Sequence, residues 1–432
     1  MKRVLLVAYY FPPQPKAGSL RASYLARHLP DFGWEPTVLT TSYPGQNHIE
    51  CRQIATPDWG PDAAEKTVSS ANPDGVHAQA QQRRSRGATS LRNFIKSIVY
   101  FPDNHVGWLP KAAAKARSLM RDFKFSAVLS TAPPFTAHFV ARIAVAGTRV
   151  PWFADYRDLW SGPPGTDYLH GAGPLRQRLE FAVERRLIGR ATRITAPSQS
   201  QTDALTHNFG RQAVFIPNAA DMSAWESVPD GPPQSFTICY TGKLWPSLRM
   251  PDGVFSAAAR LRSAGEAAGT AIRFAFFGED RDLVMECALR HGVADIVSAH
   301  GEVDRLSALR AQRSAAALLL LLDTSERADA IQVGNPGSKI FEYAGARRPI
   351  LAYGHMNTVV DEMLTKSGLG VFARDEASCM ACIRILYDRY RAGTFAPEVN
   401  PEWQPPSPRD LAQRFAELMD EEAEKFEGSR AR

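Results

Sequence analysis

Nine short apolar runs, each closed by turn-forming residues and set among stretches of helical spacing, constrain this 432-residue chain more than any other feature. Such alternation specifies repeated β-α units and mostly parallel sheets, an α/β fold. The expected strands are Arg3 to Tyr9, Thr37 to Thr40, Ala127 to Ser130, Trp152 to Asp155 and Arg193 to Ala196, then Phe236 to Tyr240, Arg273 to Phe277, Ala316 to Leu322 and Ile350 to Ala352. Between the two sets lies Ser227-Val228-Pro229-Asp230-Gly231-Pro232-Pro233-Gln234-Ser235, poor in bulky apolar residues, which marks a domain boundary. The expected organisation is one domain over 1–226, a second over 236–400, and a closing helix with a frayed tail over 401–432.

An apolar content of 44% with 22% charged residues suits a protein with a sizeable buried core. The strongest apolar run, Ala315 to Leu322, is far short of the roughly 18 to 20 residues of a membrane span and reads as a buried strand. Met1-Lys2-Arg3 runs through an apolar stretch directly into Phe11-Pro12-Pro13, which reads as a first strand rather than a leader. Five scattered cysteines suggest a reducing compartment, and Cys379-x-x-Cys382 lacks a second pair or a nearby histidine, so no metal site is expected. A net charge of +6 implies attraction to anions, whether nucleotides, acidic lipids or nucleic acid.

Residues Tyr43 to Thr89, including Arg83-Arg84-Ser85-Arg86, are polar and without sustained period, as in a long insertion. Leu91, Phe94, Ile95, Ile98 and Val99 then fall at helical spacing with Arg92 and Lys96 elsewhere on the wheel. Such a helix either packs on its own domain or lies on an anionic membrane face.

The stretch Gly334-Asn335-Pro336-Gly337-Ser338-Lys339, running on through Glu342, joins a turn to a helix start. Ser338 is suited to an N-cap, and a helix N-terminus turns its positive end toward the loop, where a nucleotide diphosphate would fit. Lys339 adds a cation, and Glu342 a carboxylate able to accept from two adjacent sugar hydroxyls; an ordinary capped helix is the plainer reading. The expected strand before Thr241-Gly242 is followed by Lys243 and Arg249, two cations placed to take phosphate oxygens at a strand exit. In the first half, Phe11 to Ser19 with Gly18 forms a second loop between strand and helix. Thr131 to His138 and Asp155 to Trp160 follow two further strands, offering His138, Asp155, Arg157 and Asp158 for hydroxyl recognition and proton handling. No Gly-x-Gly-x-x-Gly, Walker loop, Gly-x-Ser-x-Gly or His-Glu-x-x-His is present, which leaves hydride-transfer, hydrolase-triad and metal readings without support.

In order along the chain, Tyr10-Phe11-Pro12-Pro13 with Gly18, Pro102-Asp103 with Gly107-Trp108, Thr131-Ala132-Pro133-Pro134 with His138, Pro151 to Trp160, Ile216-Pro217-Asn218, Tyr240-Thr241-Gly242-Lys243 and Gly337-Ser338-Lys339 through Glu342 resemble the family-4 retaining glycosyltransferases of the GT-B fold, bacterial surface-polysaccharide type. That resemblance implies two Rossmann-like domains facing across a cleft, the acceptor held by the first and a nucleotide diphosphate sugar, UDP-linked, by the second. The last helix is expected to cross back to the first domain. By position, the resemblance gives Lys243 and Arg249 to the diphosphate, Glu342 to the ribose, Gly301 to Val303 to the base, and Gly18 to the loop near diphosphate and acceptor. Gly334 stands where the family commonly has a second glutamate, so sugar recognition leans on amides of Gly337, Ser338 and Lys339. Arg157-Asp158 replaces a common His-Asp pair, and the first loop has Ala17-Gly18 in place of paired glycines.

The function expected is metal-independent transfer of a sugar from that donor to an acceptor hydroxyl with retention, in polysaccharide or glycolipid assembly at the cytoplasmic face of the inner membrane. The catalytic candidates are Lys243, Arg249, Asp158 and His138; the donor candidates add Gly18, Gly242, Gly301, Val303, Gly337, Ser338, Lys339 and Glu342. A nucleotide-sugar epimerase of the same fold and a nucleic-acid-binding module with a basic surface are the alternatives, though no nucleic-acid partner is expected.

Overall fold

The computed structural model describes residues 1–14, 18–45, 49–59, 101–161, 174–246, 249–323, 337, 339–354 and 358–430. The basic run at 83–86, the amphipathic segment 91–99, residues 334–336 and Ser338 lie outside the described residues. The chain divides into two compact units, Met1–Pro217 with Pro408–Arg432, and Asn218–Ser407. The boundary precedes the Ser227–Ser235 stretch because Ala220, Trp225 and Val228 already pack in the core of the second unit.

In the first unit, strands β1 (Lys2–Ala8), β2 (Trp34–Thr41), β3 (Arg52–Thr56), β4 (Ala127–Ala132), β5 (Trp152–Tyr156), β6 (Arg193–Ala196) and β7 (Val214–Phe215) form one parallel sheet ordered β3-β2-β1-β4-β5-β6-β7. Strand β3 falls inside the stretch read as an insertion. The helices are α1 (Gly18–His28), α2 (Leu109–Asp122), α3 (Thr136–Ala144), α4 (Pro174–Ile188) and α5 (Gln199–Phe209). In the second unit, β8 (Thr237–Thr241), β9 (Arg273–Phe277), β10 (Val297–Ala299), β11 (Ala317–Leu321), β12 (Ile350–Tyr353) and β13 (Gly370–Ala373) form a parallel sheet ordered β10-β9-β8-β11-β12-β13. Its helices are α6 (Asp252–Ser263), α7 (Ala267–Ala271), α8 (Arg281–Arg290), α9 (Arg305–Ser314), α10 (Lys339–Gly345), α11 (Thr358–Ser367) and α12 (Glu376–Arg391); α13 (Pro408–Arg430) closes the chain and packs on α1 in the first unit.

All five residues of β11 are buried, as a central strand covered on both faces must be. Leu319 and Leu321 enter one apolar cluster with Ile238, Tyr240 and Phe255, whereas Leu318 and Leu320 enter the opposite one with Cys239, Ile340 and Tyr343. Period-two alternation thus feeds two cores, one on each face of the sheet. The strand order reverses between β1 and β4 in the first unit and between β8 and β11 in the second. At such switch points neighbouring crossovers leave in opposite directions and open a crevice at the carboxyl ends of the strands, where ligands of this fold class bind.

Candidate active site

At the exit of β8, Gly242 adopts φ +132° and its N–H donates to the Phe277 carbonyl (2.8 Å). Gly278, at φ +157°, follows β9 and donates to the carbonyl of Gly301 (2.7 Å), itself at φ +76° after β10. A Cβ on Gly278 would lie 2.2 Å from the Gly242 carbonyl oxygen, so three adjacent strands leave the sheet through a backbone layer with no room for side chains there. Gly337, the described residue of the loop before α10, has φ +67°. Val303 is half-buried in the loop between Gly301 and α9.

Cations gather over this layer. The Lys339 ammonium stands 4.3 Å from the centre of the Tyr240 ring and so close to Gly242 that a Cβ there would lie 2.3 Å from Nζ. Burial pushes the Lys339 pKa down to about 8; Glu342 opposes that shift and Arg249 adds to it. Arg249 is half-buried and anchored by an antiparallel bridge to Trp245, its N–H reaching the Trp245 carbonyl at 2.8 Å. Lys243 is about half exposed and pairs with Glu279 (2.5 Å), while its carbonyl accepts from the Tyr240 hydroxyl (2.8 Å). Gly242, Lys243, Arg249 and Lys339 are therefore brought to one strand exit.

Glu342, in the first turn of α10, is held from α9. Asp304 caps α9, accepting the Ser307 N–H at 3.0 Å. Two turns on, the fully buried Gln312 donates its amide NH2 to Thr241 Oγ1 and to Glu342 Oε1, both at 2.8 Å. Arg305 donates to the other carboxylate oxygen, Oε2, at 3.3 Å. Sequence reading missed Gln312, Arg305 and Gly278. A glycine directly after the predicted strand Arg273 to Phe277 was a usable signal for Gly278, whereas a glutamine within a helix carries none.

In the first unit, Gly18 opens α1, and a Cβ there would lie 3.0 Å from the Arg157 guanidinium and 3.1 Å from the Tyr10 ring. Arg157 donates to the Pro133 carbonyl and to Thr131 Oγ1 (3.3 Å), and half-buried Asp158 acts on its charge from the next position. Asp103 anchors the start of α3, accepting the Thr136 N–H (2.9 Å) and hydroxyl (2.8 Å).

Two proton-handling expectations need correction. His138 is fully buried, its Nδ1 hydrogen-bonded to Ser130 Oγ at 2.8 Å, with Tyr156 and Trp152 rings around it. Burial lowers its pKa to about 3, with Asp155 opposing and Arg157 adding to the shift, so it stays a neutral packing residue near neutrality. Asp155 is likewise sealed in a pair with Arg21. Helical spacing alone cannot tell an inward histidine from one lining a crevice.

A measurable consequence follows for His138. Its folded pKa lies below the ordinary 6.5, so the unfolded chain binds the extra proton first, and stability is present above pH 6.5 and lost as pH falls toward 3. His138→Gln should reduce the slope of unfolding free energy against pH by about one proton between pH 4 and 6; an unchanged slope in urea titrations would show an imidazole that titrates normally.

Residues 20–224 match the Glycosyltransferase Family 4 pattern. Among solved structures, sucrose-phosphate synthase from Thermosynechococcus elongatus is similar over 99% of this chain and 100% of its own (12% identity, TM-score 0.61). HepE from Anabaena, in complex with UDP and glucose, is similar over 97% of this chain and 99% of its own (14% identity, TM-score 0.61). A candidate UDP-N-acetylglucosamine 2-epimerase from Listeria monocytogenes is similar over 98% of each chain (11% identity, TM-score 0.51). No curated protein matches the chain by sequence. The two Rossmann-like units and these likenesses define the GT-B fold. The chain has that fold, and its residues 20–224 carry the family-4 glycosyltransferase pattern. No described helix is long and apolar enough to cross a membrane.

Proposed function

We propose that the second unit binds a UDP-linked sugar and that the enzyme transfers the sugar to an acceptor hydroxyl with retention of anomeric configuration, without a metal in the transfer step. The observation that carries this reading is the gathering of Lys339, Arg249 and Lys243 around the Gly242 backbone at the β8 exit, with Glu342 positioned alongside by Gln312. The three cations and loop amides neutralise the diphosphate as it departs, which lowers the barrier without any protein nucleophile. Glu342 accepts from the ribose hydroxyls, while Gln312 and Arg305 orient its carboxylate and act through it as positioning residues. Likeness to HepE, which was captured with UDP and glucose, favours the uridine donor. Gly301 and Val303 are assigned to the base, Gly337, Ser338 and Lys339 amides to the sugar, and Gly18 and Asp158 in the first unit to the acceptor side. The acceptor is a growing polysaccharide or glycolipid, met at the cytoplasmic membrane face.

The test is thermal stabilisation by UDP and UDP-sugars. The wild type should be stabilised, and Glu342→Ala should weaken UDP binding at least about tenfold, a loss of about 1.4 kcal/mol. Gln312→Leu should lose discrimination between UDP and 2′-deoxy-UDP, which a purely structural glutamine would leave intact. Stabilisation by none of these nucleotides would overturn the donor assignment. The likeness to a candidate epimerase keeps one other reading open: that enzyme would yield free UDP or isomerised sugar with no acceptor present, so product analysis with and without acceptor separates the two.

A further inference from the structure

Three side chains that take no part in the proposed transfer converge on the outer layer of the second unit: Asp252 at the start of α6, Cys287 inside α8, and His291 at the end of α8. One ligand atom from each, a carboxylate oxygen, the thiol sulfur and an imidazole nitrogen, lies within 4.8 Å of the others. Cys287 and His291 are four residues apart and so share a helix face, and α6 supplies the third group from across the contact. His291 Nε2 is 3.0 Å from Asp252 Oδ1, and the Cys287 sulfur lies within 4.8 Å of the ligand atoms of both. Arg290 also reaches Asp252 Oδ1, at 3.1 Å.

We infer that Asp252, Cys287 and His291 form a binding site for a thiolate-preferring divalent cation such as zinc, stapling α6 to α8. The donor set is sulfur, nitrogen and oxygen in the number that leaves one tetrahedral position for water. Charge balances: the Asp252 carboxylate and a Cys287 thiolate together neutralise the cation, with His291 neutral. Binding forms a metal–sulfur bond and breaks the Cys287 S–H bond, and the thiol proton leaves to solvent. Cys287 is fully buried, whereas the side chains of His291 and Asp252 are about a quarter and two-fifths exposed, so a hydrated ion enters from their flank. Arg290, 55% exposed, moves to the other carboxylate oxygen, a common arrangement for a group that orients a metal-bound carboxylate. The helical spacing alone gave no hint of this, since Asp252 is distant in sequence.

The test uses the full chain after treatment with chelator. Zinc titrated against a chromophoric chelator should bind one equivalent and release about one proton per ion, and cobalt should give the intense thiolate-to-metal absorption that carboxylate or imidazole ligation cannot give. Cys287→Ala should abolish that band, and His291→Gln should weaken zinc binding at least about tenfold. Cys51 is the one partly exposed cysteine, so Cys51→Ser should leave both results unchanged. No zinc binding, no thiolate band, or a band that survives Cys287→Ala overturns the inference. If Cys287→Ala does not fold, His291→Gln, checked by circular dichroism, decides alone: unweakened zinc binding is then the overturning result.

Discussion

Replacing Arg21 by Met should destabilise the first unit by about 3–5 kcal/mol, the usual loss when one partner of a buried ion pair is removed. Arg21 is 4% exposed and Asp155 fully buried. The guanidinium forks onto the carboxylate, Nε to Oδ2 and Nη2 to Oδ1, both at 2.9 Å. Two more of its protons go to the carbonyls of Pro217 and Ile216, each at 3.0 Å. Thr131 and Thr195 complete the carboxylate shell at 2.8 and 2.7 Å. Burial alone would raise the Asp155 pKa, but the charge and hydrogen bonds of Arg21, with Thr195 and Thr131, win and hold it below the usual carboxylate value. Methionine matches the stem, but it gives up the guanidinium's place 5.3 Å from the centre of the Phe415 ring of α13 and leaves a buried carboxylate without its cation.

That carboxylate must then take a proton on folding, and the sign of the pH dependence reverses. In the wild type the depressed Asp155 pKa adds stability above the ordinary value, lost as pH falls through the folded one; in Arg21→Met stability should instead decline as pH rises above the ordinary carboxylate range. Adding Asp155→Asn to Arg21→Met should recover part of the loss, because the uncompensated charge is gone. Urea unfolding of the single and double variants measures both effects. A loss below about 1 kcal/mol in Arg21→Met would mean that water reaches Asp155 and the pair behaves as a surface one.

Legibility of the fold followed burial. The nine strands anticipated from apolar runs are all present, and the four that were missed, β3, β7, β10 and β13, are the edge strands of the two sheets. Strand β3 reads Arg52-Gln53-Ile54-Ala55-Thr56 with one buried residue, and β7 has only Val214 and Phe215. An edge strand is covered on fewer sides, so it needs no unbroken apolar run, and such a run is the signal that marks a central strand. The candidate site divided in a similar way. Gly242, Lys243 and Glu342 were readable because strand exits and helix starts are local features. Gln312 was not, because its role comes from α9 packing against α10 and β8, a contact between segments distant in sequence. His138 was misread for the complementary reason: its position after β4 was right, but the direction of its ring depends on Ser130 and the aromatic residues around it.

Lys243→Ala and Arg249→Ala should each lower turnover by about 10²–10³-fold with nucleotide affinity reduced much less, the signature of groups whose charge matters most as the diphosphate departs. The two cations are held differently. Arg249 is tied to Trp245 by backbone and contributes to the depressed Lys339 pKa, so it belongs to the inner cluster. Lys243 is paired with Glu279 and half exposed, and a diphosphate draws it from that partner, so Glu279→Gln should leave turnover near the wild-type value or raise it. With a pKa of about 8, Lys339 is cationic below that pH in the donor-free protein. Nucleotide affinity should therefore fall as pH rises above 8, and in Arg249→Ala, where a repelling charge is gone, the decline should begin at higher pH. Single-turnover kinetics with titrations across pH 7 to 10 separate the effects. Near-normal turnover in both alanine variants would place the diphosphate elsewhere, whereas losses confined to affinity would mean that the cations bind the donor without stabilising its leaving group.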